Sequence, residues 1–191
     1  MNKGIRFSKS NRLLFLNSGD SVISETVFDK FIIFYPDHDL VYSNVVKVLE
    51  NGINVSTIYP EVLSLDYMIS YGLPHQATII NKSLFDKIGL YNENYKIISD
   101  WVFFMEALFY HNATYKYFNK DVVYFDGTGI SNQSKYLKCI IREQIHYLSI
   151  RFPSKLSLYK SNSPYVKKYF RSMPRWKRFI SKPLFLYSNY I

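Results

Sequence analysis

The 191-residue sequence contains very little cysteine, which excludes two kinds of stabilisation. Cys139 is the single cysteine, so the chain cannot form an internal disulfide, and the Cys and His residues lack zinc-site spacing. No uninterrupted apolar run approaches the ~20 residues that a membrane-spanning helix needs. The start, Met1-Asn2-Lys3-Gly4, leads into polar sequence rather than a secretory signal. We therefore expect a cytoplasmic protein, free in solution or attached to a membrane surface.

Acidic residues are almost absent from the C-terminal part of the chain. From Lys135 onward there are 13 Lys and Arg residues and one acid, Glu143, whereas the first 134 residues hold 11 bases and 14 acids. The net charge of +9 therefore combines a tail of +12 with a body of −3. The apolar content of 48% is sufficient for a hydrophobic core and argues against disorder.

Apolar runs and turn residues alternate along the chain in a way that predicts an α/β fold. A continuous apolar run at 12–16 predicts a buried strand that ends in the turn Asn17-Ser18-Gly19-Asp20. Other predicted strands are 39–48, 53–55, 76–80, 115–118 and 122–125, and predicted helices are 21–31, 63–71, 82–88 and 99–111. We expect residues 1–133 to form one domain, and residues 134–191 to form an amphipathic helix followed by a basic, aromatic tail.

Two isolated carboxylates indicate an active site. Asp20 follows the predicted buried strand, and Asp100 stands at the start of a predicted helix in Ser99-Asp100-Trp101. Sites of α/β proteins gather at the carboxyl ends of strands, which favours a functional Asp20. Each acid also has a structural alternative. Asp20 would cap the following helix with Ser18 or Ser21, and Asp100 would balance a helix dipole.

Four stretches of the chain follow one another in an informative order. They are residues 1–6, residues 14–20, residues 73–91 with Leu73-Pro74-His75-Gln76, and Ser99-Asp100-Trp101 with the later 126–131. Over roughly residues 1–150 they resemble the family 2 glycosyltransferases of the GT-A fold, in particular bacterial enzymes that build surface polysaccharides. The resemblance implies a Rossmann-like mixed sheet flanked by helices. The family's opening strand–helix–strand unit, which grips the nucleotide, has no counterpart here, so we expect a truncated GT-A domain.

The resemblance also implies a reaction. It is the transfer of a sugar, with inversion at the anomeric carbon, from a nucleotide-sugar donor to a surface-polysaccharide or lipid-linked acceptor. Asp100 corresponds to the catalytic base. Asp20 occupies the place of the metal-binding Asp-x-Asp cluster and is the one carboxylate of Asn17-Ser18-Gly19-Asp20. Hard oxygen ligands of this kind suit Mg²⁺ or Mn²⁺, with the diphosphate supplying further oxygens.

The remaining site residues are assigned by the same resemblance. Asn2, Asn17 and Asp20 are expected to bind the donor, and His75, Gln76 and Trp101 are expected to border the acceptor. Structural alternatives stay open for three of them. Asn2 would belong to a disordered N-terminus, His75 would seal the Pro74 turn, and Trp101 would be part of the core.

The tail interleaves cations with aromatic residues between Tyr159 and Tyr190. Such a segment suits an anionic membrane, which predicts a peripheral position on the inner face of the cell membrane. The prolines and the lack of a nucleic-acid motif argue against nucleic acid as a partner. The structural alternative to membrane binding is a solvated tail that packs loosely on the domain. For the whole chain, the alternative to an enzyme is a non-catalytic remnant that binds a membrane or a partner protein.

Overall fold

The computed structural model describes residues 1–33, 37–49, 52–127, 129 and 133–187. The chain divides into two compact units. We call them the sheet unit, Met1–Leu63, Leu73–Asn94 and Ser99–Thr128, and the helical unit, Ser64–Gly72, Tyr95–Ile98 and Gly129–Ile191. Each unit is assembled from segments that are not contiguous in the sequence.

Within the described residues, a six-stranded mixed sheet forms the centre of the sheet unit. Its strands are β1 (Arg12–Leu13), β2 (Ser21–Val22), β3 (Leu40–Val48), β4 (Asn54–Thr57), β5 (Thr78–Asn81) and β6 (Tyr115–Asp126). Their order is β1-β5-β3-β6-β2, and β4 also pairs with β3. The long pair β3–β6 is parallel and the other pairs are antiparallel. This mixed sheet confirms the α/β prediction.

Helices precede, separate and follow the strands along the sequence. They are α1 (Asn2–Phe7), α2 (Glu25–Ile33), α3 (Leu65–Ser70), α4 (Ser83–Ile88), α5 (Ser99–Phe109), α6 (Leu137–Arg151), α7 (Leu156–Asn162), α8 (Pro164–Ser172) and α9 (Arg175–Tyr187). Short 3-10 turns lie at His75–Ala77, Ser134–Tyr136 and Pro153–Lys155. No helix in the described part of the chain is long and apolar enough to cross a membrane.

A hydrophobic core in the sheet unit explains why β3 and β6 pair so extensively. Val41 and Val45 of β3 and Val123 of β6 are buried together with Phe31 of α2. The Phe31 ring lies 5.6 Å, centroid to centroid, from that of Phe118. Removing such apolar surface from water is the main favourable contribution to folding. The helix that carries Phe31 is thereby fixed against the sheet.

Several local predictions are confirmed. The strand predicted at 39–48 is β3, and the helix predicted at 82–88 is α4. Gly89 follows α4 with a φ of +98°, a conformation that glycine adopts without a side-chain penalty. The buried helix that begins at Ser99 is α5, whose side chains are buried almost all round.

Four local predictions are wrong. The strand at 12–16 pairs with β5 only at Arg12–Leu13, and Leu16 is 43% exposed. The helix predicted from 21 starts at Glu25, because Ser21–Val22 pairs with β6 instead. The strands expected at 115–118 and 122–125 are one strand. The register of its pairing with β3 shifts on both sides of Asn44, as at a β-bulge. The N-terminus is not disordered, since it forms α1.

The helical unit is held by polar contacts between segments distant in sequence. The Glu143 carboxylate accepts the backbone N–H groups of Lys96, Ile97 and Ile98 at 2.9, 3.1 and 3.3 Å. Lys155 Nζ lies 2.7 Å from Asp66 Oδ1. These contacts join α6 and the turn after it to the segments 95–98 and 64–72.

Candidate functional site

Asp20 closes the turn that precedes β2 and connects it to the end of β6. One carboxylate oxygen, Oδ2, accepts the backbone N–H of Asn17 at 3.0 Å, and the other, Oδ1, accepts that of Asp126 at 3.0 Å. The Asp20 N–H in turn donates to the Asn17 carbonyl at 3.1 Å. Asp20 does not cap the next helix, because α2 begins only at Glu25. The turn is therefore built around the Asp20 carboxylate.

Gly19 allows a second carboxylate to approach this turn. Gly19 has a φ of +96°, and a Cβ placed on it would lie 2.7 Å from Asp126 Oδ2. The side chains of Asp20 and Asp126 thus flank the same turn. The resemblance includes residues 126–131 but does not single out Asp126. Residues 128 and 130–132 lie outside the described residues.

Substituting Gly19 tests how tightly this turn is packed. We expect Gly19→Ala to destabilise the protein by about 1–3 kcal/mol, because alanine must adopt a positive φ and displace the Asp126 carboxylate. The matched control is Gly52→Ala, where φ is +76° but nothing lies within 4 Å of the new Cβ. Urea denaturation of both variants measures the difference. Equal losses would show that the contact with Asp126 contributes nothing.

His75 and Asp100 form a close polar pair in the sheet unit. His75 Nδ1 lies 2.7 Å from Asp100 Oδ2, and the two side chains are 15% and 22% exposed. The other oxygen, Asp100 Oδ1, accepts the backbone N–H of Trp101 at 2.8 Å. His75 is presented by the 3-10 turn before β5, and Asp100 by the first turn of α5. The pair is therefore partly open to solvent.

Asn17 connects the two acids that the sequence singles out. Its amide nitrogen lies 3.0 Å from His75 Nε2. Its backbone N–H donates a hydrogen bond to Asp20 Oδ2. Asp20, Asn17, His75 and Asp100 therefore form one continuous hydrogen-bonded series, which we call the two-acid network. Four of the residues predicted for the site are brought together in this way.

The structure places Asn2 elsewhere. The Asn2 amide donates to the Tyr91 carbonyl at 2.9 Å and to Glu93 Oε1 at 2.8 Å, and its oxygen accepts the Tyr91 N–H at 3.0 Å. These contacts attach α1 to the loop after α4. Asn2 thus holds a loop, and its hydrogen bonds do not include a member of the two-acid network.

Gln76 and Trp101 adjoin the network in sequence but are buried. Gln76 is 6% exposed and Trp101 is 8% exposed. The indole therefore packs in the interior, as the core alternative describes, and presents little surface to a sugar. A role for either residue in acceptor binding stays a prediction.

Tyr91 is a neighbour of Asp100 that sequence reasoning missed. Its ring packs against Phe15, Phe85 and Phe103 at centroid distances of 5.7, 5.3 and 5.2 Å. Burial first, and then the negative charge of Asp100, raise the pKa of the Tyr91 phenol well above its usual value. Among the described residues the buried hydroxyl has no hydrogen-bond partner. A buried hydroxyl without a hydrogen bond lowers the stability of the folded state, so the burial of Tyr91 near Asp100 carries a free-energy cost.

The residues that could ligand a metal are dispersed in the part of the chain that the structure describes. No group of three His, Cys, Asp or Glu side chains in the described ranges is placed to hold a metal ion. Each Asp20 oxygen accepts one backbone N–H and keeps a second lone pair. These lone pairs leave the Asp20 carboxylate able to accept further contacts.

Comparison with known proteins gives a distant similarity over part of the chain. No family model matches the sequence. Over 107 residues the chain is 30% identical to proteins named PGL/p-HBAD biosynthesis glycosyltransferase from Mycobacterium bovis and Mycobacterium tuberculosis. The match covers 54% of this chain and 40% of each relative, so the chain spans about two fifths of the relatives' length. The similarity supports a relationship to glycosyltransferases.

Proposed function

We propose that the protein is a glycosyltransferase of the family 2 type with a GT-A fold. It transfers a sugar from a nucleotide-sugar donor to a surface-polysaccharide or lipid-linked acceptor. The observation that carries the proposal is the two-acid network, which joins the turn of Asp20 to Asp100 through Asn17 and His75. The distant relatives named glycosyltransferases support the same reaction class.

The reaction requires a base on the acceptor side. As the acceptor hydroxyl attacks the anomeric carbon, its proton must be taken up, and the nucleoside diphosphate departs from the opposite face. Asp100 supplies the negative charge for this step, either taking the proton directly or acting through its neighbour, because it is partly exposed and its Oδ2 pairs with His75. Attack from the face opposite the leaving group inverts the anomeric carbon.

The donor side is the turn that contains Asp20. Asp20 and the diphosphate oxygens would hold Mg²⁺ or Mn²⁺, with Asp126 as the second carboxylate at the same turn. The cation, when bound, neutralises charge on the departing diphosphate. The exposed Asn17 side chain supplies an amide next to this place.

The test of this proposal is an assay of donor turnover by the full chain. The protein is incubated with a panel of UDP-, GDP- and dTDP-sugars, with Mn²⁺ or EDTA, and nucleoside diphosphate release is followed by mass spectrometry. We expect release from at least one donor, faster with Mn²⁺ than with EDTA. Absence of turnover across the panel would contradict glycosyl transfer by this chain, and ligand-observed NMR would then show whether a donor still binds.

Membrane attachment is a second candidate function, favoured by the distribution of residues on α8. Val166 and Phe170 of this helix are buried, whereas Lys167, Lys168 and Arg171 are exposed. Such a helix presents cations while its apolar residues pack within the helical unit. Each cation near an anionic lipid surface contributes about 1 kcal/mol at low salt.

Charge reversal tests this attachment. Replacing Lys167, Lys168 and Arg171 by Glu should lower binding to anionic phosphatidylserine vesicles by about 100-fold or more, because three favourable contributions of about 1 kcal/mol become unfavourable. The control reverses Lys3, Arg6 and Lys9, which are also exposed but lie in the sheet unit. Vesicle pelleting at low salt measures both. Equal losses would indicate a response to net charge alone and contradict a role for α8.

A further inference from the structure

The hydrogen-bond partners of His75 determine which ring nitrogen carries the hydrogen. The ionised Asp100 carboxylate can only accept, so His75 Nδ1, at 2.7 Å, is the protonated nitrogen. The Asn17 amide nitrogen can only donate, so Nε2, at 3.0 Å, presents its lone pair. An imidazole with a single hydrogen is therefore oriented with that hydrogen towards the carboxylate and its lone pair on the opposite side of the ring.

Both carboxylate oxygens of Asp100 have hydrogen-bond partners. Its Oδ1 accepts the Trp101 N–H at 2.8 Å, and its Oδ2 faces His75. A carboxylate that orients an imidazole through Nδ1 stabilises the imidazolium formed when Nε2 takes a proton. In this arrangement the histidine accepts the proton at Nε2, and the carboxylate holds the other hydrogen of the imidazole on Nδ1.

We propose that His75 is the catalytic residue that takes the proton of the acceptor hydroxyl, and that Asp100 is a positioning residue acting through it. This inference rests on the proposed glycosyl transfer and replaces direct proton removal by Asp100. Asn17 donates to Nε2 at the place that the acceptor hydroxyl would take, and its exposed side chain can leave that place.

The step balances in atoms and electrons. A lone pair of the acceptor oxygen forms the new bond to the anomeric carbon, and the bond from that carbon to the donor phosphate oxygen breaks. The electron pair of the broken bond leaves with the nucleoside diphosphate. The hydroxyl proton moves to His75 Nε2, the imidazolium is stabilised by Asp100, and the proton is then released to water.

The tautomer can be measured without any substrate. In protein labelled with ¹⁵N-histidine, with the pH raised until the ¹⁵N shifts of His75 no longer change, His75 should show a protonated Nδ1 and an unprotonated Nε2. In Asp100→Asn the new amide can donate to Nδ1, so the hydrogen should move to Nε2. A wild-type His75 with the hydrogen on Nε2 would overturn the proposal.

Kinetics separate the two residues. His75→Gln should lower kcat by about 10²- to 10⁴-fold with little change in KM, because an amide cannot take a proton. The control, His111→Gln, alters an exposed histidine just beyond α5. We expect this variant to keep the wild-type kcat and KM. Circular dichroism verifies that each variant folds. If wild-type protein turns over donor and His75→Gln stays within a few-fold of it, this inference is wrong and the proposed function stands. If wild-type protein turns over no donor, the proposed function fails, and the role of His75 in transfer fails with it.

Discussion

Asp100→Asn should reduce sugar transfer by about 10³- to 10⁴-fold while leaving the protein folded. The two side chains have the same shape, so the contact with the Trp101 N–H through Oδ1 can persist. The second contact cannot, because the asparagine amide would point a hydrogen at the hydrogen on His75 Nδ1. The imidazole must then rotate or change tautomer, and the negative charge that stabilises its protonated form is lost.

The measurement is nucleoside diphosphate release under saturating donor, compared with wild-type protein and with Asp86→Asn. Asp86 is an exposed residue of α4, so the same chemical change there should leave the rate within two-fold. Thermal denaturation of all three proteins establishes that the folded fraction is equal. Retention of more than about a tenth of the wild-type rate by Asp100→Asn would contradict a role for Asp100 in proton transfer, whether direct or through His75.

Phe31→Ala should have the largest effect on stability among the substitutions considered. Phe31 is fully buried and packs in the core between α2 and the sheet. Truncating a buried phenylalanine removes transfer free energy and leaves a cavity, which together cost about 3–5 kcal/mol. Total stabilities of about 5–15 kcal/mol make such a loss a large fraction of the whole.

The matched control is Phe7→Ala on α1, where the phenylalanine is 76% exposed. We expect the control to change the free energy of unfolding by no more than about 0.5 kcal/mol. Urea denaturation followed by tryptophan fluorescence compares the variants. A loss under about 1.5 kcal/mol for Phe31→Ala would mean that the core around α2 closes over the vacated volume more readily than the packing implies.

Elements with local signals were the most predictable from sequence. The helix α4 has a glycine directly after its last residue, and α5 is apolar on nearly every side; both were predicted near their observed bounds. The long strand β3 is rich in apolar and β-branched residues on both sides of the polar pair Ser43-Asn44. In these cases the residues themselves favour the conformation that the tertiary structure uses.

Pairing partners were not predictable in the same way. The run 12–16 has the composition of a strand but meets β5 over Arg12–Leu13 only, and strand structure requires a hydrogen-bonded neighbour. The single strand β6 was divided into two predictions, because polar residues interrupt its apolar pattern where the register with β3 shifts. A bulge depends on both strands, so one strand's sequence does not reveal it.

The site shows a similar division. Asp20 and Asp100 stand out in the sequence as isolated carboxylates, and the resemblance adds Asn17 and His75. Their hydrogen-bonded series depends on contacts between residues 17 and 75 and between 75 and 100, which periodicity does not predict. Tyr91 was missed because nothing adjacent in sequence distinguishes it from the other 17 of the chain's 18 tyrosines. Its significance lies in an unpaired buried hydroxyl near Asp100, which is a property of the folded state.

The discontinuous helical unit restricts how the basic tail can be studied. A gene fragment that ends before Leu137 would lack Glu143, which receives three amide hydrogens from residues 96–98. It would also lack Lys155, the partner of Asp66. Cloning the C-terminal stretch by itself would omit those same partners. A deletion series would therefore report on misassembly as well as on lipid affinity, whereas point changes on the outer side of α8 preserve every one of these links.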